Sequence, residues 1–223
     1  MRSGRRASPG VAATRLARPL LLSATLLLSP PGLGAGTPGA SAEPVPEGET
    51  ASSAARTHYA AGMAYKAEAW SHEAAALEAT DAATQATAEA AARAAFEAAI
   101  TAFGKALKLD LKDHEAANEL GYALRRTGNY QKALGAYNFA LTIKPDFYPA
   151  VEYRGEAYLA LGRLQDAKDA YMTLFRNEPV LAAQLLEAMA AKATDAEFAA
   201  WVAERQQIAA RLPSSDAASA ADW

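Results

Sequence analysis

The sequence predicts an all-α protein, a short α-solenoid of about three helix pairs with an elongated first pair and C-terminal capping helices. Three observations predict this class. Sixty of the 223 residues are alanine, which is the best helix former and is depleted in strands. Aromatic residues make up only 8% of the chain, so the core has to be divided among closely packed helices. A period of about 34 residues, which is typical of repeat architectures, runs through the middle of the chain.

Residues 1–42 differ from the rest of the chain. They contain five arginines and no lysine or acidic residue, and an apolar run at 19–28 precedes a Pro/Gly-rich stretch that ends in Ala40-Ser41-Ala42. This is the layout of a secretory signal peptide, with cleavage predicted near 35–42. The run is shorter than the roughly 20 residues that a membrane-spanning helix needs, so no stable membrane insertion is expected after cleavage. The predicted location is therefore periplasmic or secreted, and a mitochondrial transit peptide is the alternative.

Charge and composition exclude several classes of function. Without residues 1–42, the 22 basic residues fall to 17 against 25 acidic ones, a net charge of about −8. Nucleic-acid binding requires clustered Lys and Arg, so no nucleic-acid partner is expected. The chain has no cysteine, which excludes disulfides, thiolate metal sites and a cysteine nucleophile. Residues 43–54 are rich in Pro, Gly and acid and are predicted to be a flexible leader.

The residues at 114–147 match those at 148–179 in type at several positions when the two segments are aligned with a shift of one period. The first copy predicts helices over 114–126 and 130–143, separated near Gly128, because glycine adopts the left-handed conformation that ends a helix. A proline ends each second helix, since it lacks the N–H and clashes with the preceding turn. The matched positions are Gly121 with Gly155, Gly128 with Gly162, Ala133 with Ala167, Tyr137 with Tyr171, and Pro145 with Pro179.

These residues resemble the tetratricopeptide repeat (TPR) family, here of an exported bacterial kind. The resemblance covers 114–147 and 148–179 well and 55–113 in part. It implies a right-handed solenoid whose first helices line a concave face that binds peptides or helices of other proteins. In the first copy the matching residues are Leu120, Gly121, Leu124, Gly128, Tyr130, Ala133, Tyr137, Ala140 and Pro145.

Residues 55–113 are predicted to form an interrupted repeat. Phe96, Ala99 and Phe103 match the second half of a repeat, whereas the matching first half, around Gly62, lies about 25 residues farther upstream than the period allows. The extra residues contain no Gly or Pro, and Thr80-Asp81 at their midpoint can cap a helix. We predict that both helices are lengthened by three to four turns and protrude as a hairpin of roughly 18 Å. One unbroken helix from about 55 to 109 is the alternative.

The C-terminal part is predicted to close the stack. Residues Val180–Lys192 form an amphipathic pattern, and Thr194 with Glu197 forms a capping box that opens a last helix ending near Arg211. These helices, over 180–211, supply the polar terminal cap that a repeat stack requires. Residues 212–223 are predicted to be a disordered tail.

No constellation of residues predicts catalysis. The sequence lacks a phosphate-binding loop, a nucleophile elbow and a metal-ligand pattern among its three histidines. We therefore expect no enzyme activity, no catalytic residue, no cofactor and no metal.

The repeat register predicts a partner-binding groove. Tyr, Met and Arg are common interface anchors, and both signs of charge occur, which suits a ligand of mixed charge. The predicted function is a non-catalytic scaffold that binds a peptide or protein segment in the cell envelope. The alternative is a structural homo-oligomer, such as a homodimer, assembled through the alanine-rich hairpin at 69–93. The nine groove residues are Tyr59, Met63, Lys66, Asn118, Tyr122, Arg125, Glu152, Glu156 and Leu159.

Overall fold

Eight α-helices, joined by short turns, make up residues 47–211, which are the residues that the computed structural model describes. Consecutive helices pack as antiparallel pairs, and each pair contacts the next. The predicted all-α solenoid is confirmed for this part of the chain; the predicted signal peptide and C-terminal tail lie outside it. None of the helices in 47–211 is long and apolar enough to cross a membrane. The helices are α1 Glu47–Glu78, α2 Ala82–Leu109, α3 His114–Arg126, α4 Tyr130–Ile143, α5 Tyr148–Ala160, α6 Leu164–Asn177, α7 Pro179–Lys192 and α8 Ala196–Ala209.

The two longest helices, α1 with 32 residues and α2 with 28, form the first pair. The chain breaks between Glu78 and Ala82, where the Asp81 carboxylate accepts a hydrogen bond of 2.9 Å from the Thr84 backbone N–H. The alternative of one unbroken helix is therefore wrong. The predicted leader is wrong for 47–54, because these residues already belong to α1. Ala55, in the third turn, is buried, so packing fixes a segment whose composition alone suggested flexibility.

The turns inside the second and third pairs are built alike. Gly128 and Gly162 have positive φ values of 82° and 70°. The Asn129 N–H donates to the Leu124 carbonyl at 2.8 Å, and the Arg163 N–H donates to the Tyr158 carbonyl at 2.9 Å. These bonds satisfy carbonyls that the helix end would otherwise leave unpaired. The bounds of α3 and α4 are those that the sequence predicts.

Glycine lets the two helices of a pair approach closely. A Cβ on Gly121 would lie 2.5 Å from Cε1 of Tyr137, and a Cβ on Gly62 would lie 2.5 Å from Cε1 of Phe103. The first pair therefore makes the same contact as the second, although Phe103 follows Gly62 at a much greater distance along the sequence than Tyr137 follows Gly121. The insertion accounts for this difference, because it lies between Gly62 and Phe103, the two residues that form the contact.

The last pair, α7 and α8, covers the end of the stack. Leu185 of α7 packs on Gly155 of α5, where a Cβ would lie 2.6 Å from Cδ2 of the leucine. The cap of α8 is Asp195, whose carboxylate accepts from the Phe198 N–H at 2.8 Å. The predicted capping box at Thr194 is wrong. The Thr194 N–H donates to the Lys192 carbonyl, so Thr194 belongs to the turn that ends α7.

Candidate functional site

The nine predicted groove residues lie on α1, α3 and α5, and we call the surface formed by these three helices the groove face. Lys66 of α1 pairs with Glu119 of α3, and Arg125 of α3 pairs with Glu156 of α5. The three helices are thus neighbours in space, although they come from separate parts of the chain. The fold places Lys66, Arg125 and Glu156 on neighbouring helices, and the role of the nine residues in binding stays a prediction.

Tyr122 lies at the centre of the groove face and is only 7% exposed. Its hydroxyl accepts hydrogen bonds from Nε1 of Trp70 at 2.8 Å and from Nη1 of Arg126 at 3.2 Å. The rings of Trp70, Phe96 and Tyr153 surround it, with centroid distances of 6.1, 6.1 and 5.3 Å. Tilted and edge-to-face aromatic pairs of this kind add to the energy of area burial. Tyr122 therefore joins all of the first three helix pairs.

Lys66, Arg125 and Arg126 lie against this aromatic cluster, and Arg126 is 5.4 Å from the ring centroid of Phe96. Nζ of Lys66 is 4.9 Å from the ring centroid of Trp70 and 5.3 Å from that of Tyr122. The guanidinium of Arg125 is 5.3 Å from the Tyr122 centroid and 5.4 Å from the Tyr153 centroid. Partly desolvated cation–π contacts are favourable by about 1–2 kcal/mol each. The cations are thereby held on the groove face by rings as well as by carboxylates.

Three ion pairs connect neighbouring helices of the groove face. Their side chains are between 8% and 27% exposed, so solvent screens them less than it screens surface pairs. Removing one partner would leave the other charge poorly solvated. The pairs are Lys66 with Glu119, Arg125 with Glu156, and Arg126 with Glu73.

Glu152 is a buried acidic residue of the groove face that forms no ion pair with a lysine or arginine within 47–211. It is 3% exposed. Burial, with the negative charge of Glu156 one turn away, raises its pKa to about 9, against the opposing effect of Arg125. The Glu152 carboxyl group therefore ionises less readily than that of an exposed glutamate.

The remaining predicted residues differ in accessibility. Tyr59 and Met63 are half-buried and offer part of their side chains at the edge of the face. Burial, followed by the charge of Glu119, raises the pKa of Tyr59 to about 12. Asn118 is 3% exposed and Leu159 is 8% exposed. Leu159 packs in the core between α5 and α7, so its side chain presents little surface to a partner.

Sequence reasoning missed two residues of the groove face, Trp70 and Glu73. Both lie in the insertion, past the point where a first helix of 13 residues such as α3 would end. They reach Tyr122 and Arg126 at the C-terminal end of α3. The repeat period carries no information about them, because the other copies have no equivalent positions. A tryptophan inside an alanine-rich helix was the available signal.

No group of three or more His, Asp or Glu side chains within 47–211 is placed to hold a metal ion. His114 packs edge-on against Phe147, with ring centroids 4.7 Å apart, and so has a packing role.

A family model matches part of the chain. Residues 114–147, which comprise α3, α4 and the turns that follow them, match the model of the tetratricopeptide repeat. No curated protein shows significant similarity to the chain.

Proposed function

We propose, from the premise that residues 114–147 are a tetratricopeptide repeat in a helical solenoid of that type, that the protein is a non-catalytic scaffold for another polypeptide. Helical repeats of this kind generally mediate protein–protein interaction through the surface that their stacked first helices form. The groove face is that surface in this chain. A peptide or protein segment of mixed charge is the ligand that it suits.

The proposal depends on one observation: aromatic and charged side chains from three separate segments of the chain meet on the groove face. Tyr153, Met63 and Tyr59 are half-buried there, and the Glu156 side chain is 27% exposed. Aromatic and Met side chains that are held in place lose little rotamer entropy when a partner covers them. The groove face therefore combines rigid anchors with charges of both signs.

Photocrosslinking tests the proposal. Benzoylphenylalanine is introduced at Tyr59 or at Tyr153 on the groove face, and at Phe139 on α4, which is 39% exposed, as the control. We expect both groove positions to crosslink the same polypeptide in cells and Phe139 to crosslink none of it. Met63→Arg should abolish this crosslink, while Leu109→Arg, a change at an exposed site on α2, should not. Equal crosslinking from Phe139, or an unchanged crosslink with Met63→Arg, would overturn the proposal.

We infer from the amino-terminal composition that the protein binds its partner in the cell envelope. The five arginines and the apolar run at 19–28 support export. Mass spectrometry of the mature protein from fractionated cells tests this, because export predicts a periplasmic chain that begins near 35–42. An intact N-terminus in the cytosolic fraction would refute it.

A homo-oligomer built through the hairpin is the second candidate, and one feature of α2 favours it. Ala86, Ala90 and Ala94 form an exposed row, flanked by Glu89 and Arg93. Alanine rows permit close helix approach, and charges of both signs suit pairing with an antiparallel copy. Sedimentation velocity distinguishes the candidates: a dimer that Ala90→Arg or deletion of 69–93 converts to monomer supports this one, and a monomeric full chain excludes it.

A further inference from the structure

We propose that Lys168, Trp201 and Arg205 form a docking site, the Trp201 site, for the acidic segment at residues 212–223 of the same chain. The site lies between α6 and α8, which contribute nothing to the groove face, so the inference does not depend on the proposed function. It concerns a segment for which composition alone predicts a disordered tail.

Two cations lie against the indole ring of Trp201. Nζ of Lys168, on α6, is 5.5 Å from the ring centroid, and the guanidinium of Arg205, on α8, is 5.2 Å from it. The two positive charges are therefore no farther apart than the sum of these distances. The indole ring packs edge-on against buried Tyr171 of α6, with centroids 5.5 Å apart, which fixes its position. The side chains of Lys168, Trp201 and Arg205 are half-buried, so a ligand can reach them.

The cations of the Trp201 site lack the partners that the groove-face cations have. Each of the three groove-face cations pairs with a carboxylate on a neighbouring helix. Within 47–211, Lys168 forms no ion pair, and Arg205 has only Glu204, its neighbour in sequence, at 3.7 Å. Nε of Arg205 is buried without a hydrogen-bond partner in that part of the chain. Because two like charges repel each other, the site favours a carboxylate that lies beside both cations.

The chain supplies carboxylates of its own directly after α8. Outside 47–211, its acidic residues are Glu43, Asp216 and Asp222. Glu43 precedes the first helix pair, whereas both aspartates follow the helix that carries Trp201 and Arg205. No lysine or arginine occurs in 212–223. The segment is therefore opposite in charge to the Trp201 site and is joined to the helix that forms it.

The length of chain between the site and the aspartates allows the contact. Arg205 lies about 9 Å before Arg211 at the rise of a helix, and the five residues from Arg211 to Asp216 span up to about 17 Å when extended. Asp222 is six residues farther on and can reach Lys168. Attachment by a short connection corresponds to an effective concentration of about millimolar. Ionic contacts too weak to hold a separate peptide can therefore hold this segment.

Zero-length crosslinking with a carbodiimide tests the inference in the full chain, because this reagent joins an amine only to a carboxylate in contact with it. We expect peptide mass spectrometry to find Lys168 joined to Asp216 or Asp222. Lys132, which is exposed on α4, is the control lysine and should be joined to neither. A mixture of ¹⁵N-labelled and unlabelled protein shows whether the two linked residues belong to one chain.

Variants on α8 test the role of the second cation. Arg205→Gln should lower the yield of the Lys168 crosslink by about threefold or more, whereas Glu204→Gln, at the adjacent position, should not lower it. An equal yield with Arg205→Gln, or Lys168 crosslinks no more frequent than those of Lys132, would overturn the inference. Crosslinks between labelled and unlabelled chains would also overturn it, since they would assign the site to a second copy.

Urea unfolding provides a measurement that does not depend on the reagent. Arg205→Gln removes the contact with Trp201 in any background and should lower the urea midpoint both in the wild type and in Asp216→Asn/Asp222→Asn. The lowering should be larger in the wild type, because only there does Arg205 also lose a carboxylate. An equal lowering in the two backgrounds would overturn the inference and leave the proposed function untouched.

Discussion

Replacing Gly121 by alanine tests the close helix approach on which the groove face depends. The added Cβ would lie 2.5 Å from Cε1 and 2.7 Å from Cδ1 of Tyr137, whereas carbon atoms pack at about 3.5–4.0 Å. The ring therefore has to move by about 1 Å to restore that separation. Tyr137 is fully buried and its ring lies 6.2 Å from that of Tyr153, so there is no free space for this movement. Overpacking of this kind destabilises by about 1–3 kcal/mol.

Gly135 on α4 is the matched control, because a Cβ there would have no atom within 4 Å. Alanine is favoured over glycine inside a helix by about 1 kcal/mol at both sites, so the difference between the variants isolates the clash. We expect Gly135→Ala to unfold at higher urea concentration than the wild type. Gly121→Ala should be less stable than Gly135→Ala by about 1–3 kcal/mol, measured by circular dichroism with m unchanged. Equal stability of the two variants would refute the close packing of α3 on α4.

Three further predictions follow from individual contacts. Trp70→Phe removes the hydrogen bond to Tyr122 and should lower stability by about 1 kcal/mol, with an altered near-ultraviolet dichroism; an unchanged spectrum would show that the insertion does not order the groove face. Asp113→Ala removes the cap of α3, whose carboxylate accepts from the Ala116 N–H, and should lower stability by about 1 kcal/mol, while Asp113→Asn should restore most of it. Folding raises the pKa of Glu152 from its ordinary value of 4.5 to about 9. The stability that this group contributes is therefore complete below pH 4.5 and falls as the pH rises from 4.5 to 9, because the unfolded chain loses its proton first. Urea midpoints at pH 5 and pH 8.5 should therefore differ less for Glu152→Gln than for the wild type, and an equal difference would contradict the assignment.

The parts of the fold that the sequence predicts correctly are those decided by local chemistry. Gly128 ends α3 because its φ is 82°, and such a turn needs nothing from the rest of the chain. The start of α1 was not predictable in this way: the helix begins at Glu47, within the predicted leader, and Ala55 is buried further along it. The cap of α8 was misassigned by one residue, because Thr194 and Asp195 are both good caps and only the end of α7 decides between them.

The groove face was predictable as a set of positions and not as a set of contacts. The register places Lys66, Tyr122 and Arg125 on first helices, and the structure brings them together. Their partners come from other helix pairs, as in the bonding of Arg125 to Glu156, and a single sequence carries no signal for such pairs. The burial of a side chain depends on the residues that pack against it, so the low exposure of Tyr122 could not be predicted from the sequence either.

The insertion changes what a partner meets on the groove face. Because α1 continues past the length of an ordinary first helix, Trp70 and Glu73 occupy the C-terminal end of α3 and hold Tyr122 and Arg126. A ligand that needs these residues would first have to break a hydrogen bond and a partly buried ion pair, each worth about 1 kcal/mol or more. On α5 the Glu156 side chain stays 27% exposed. If the groove face binds a polypeptide as proposed, we expect that polypeptide to reach Glu156 more easily than Tyr122 and Arg126, which Trp70 and Glu73 already contact.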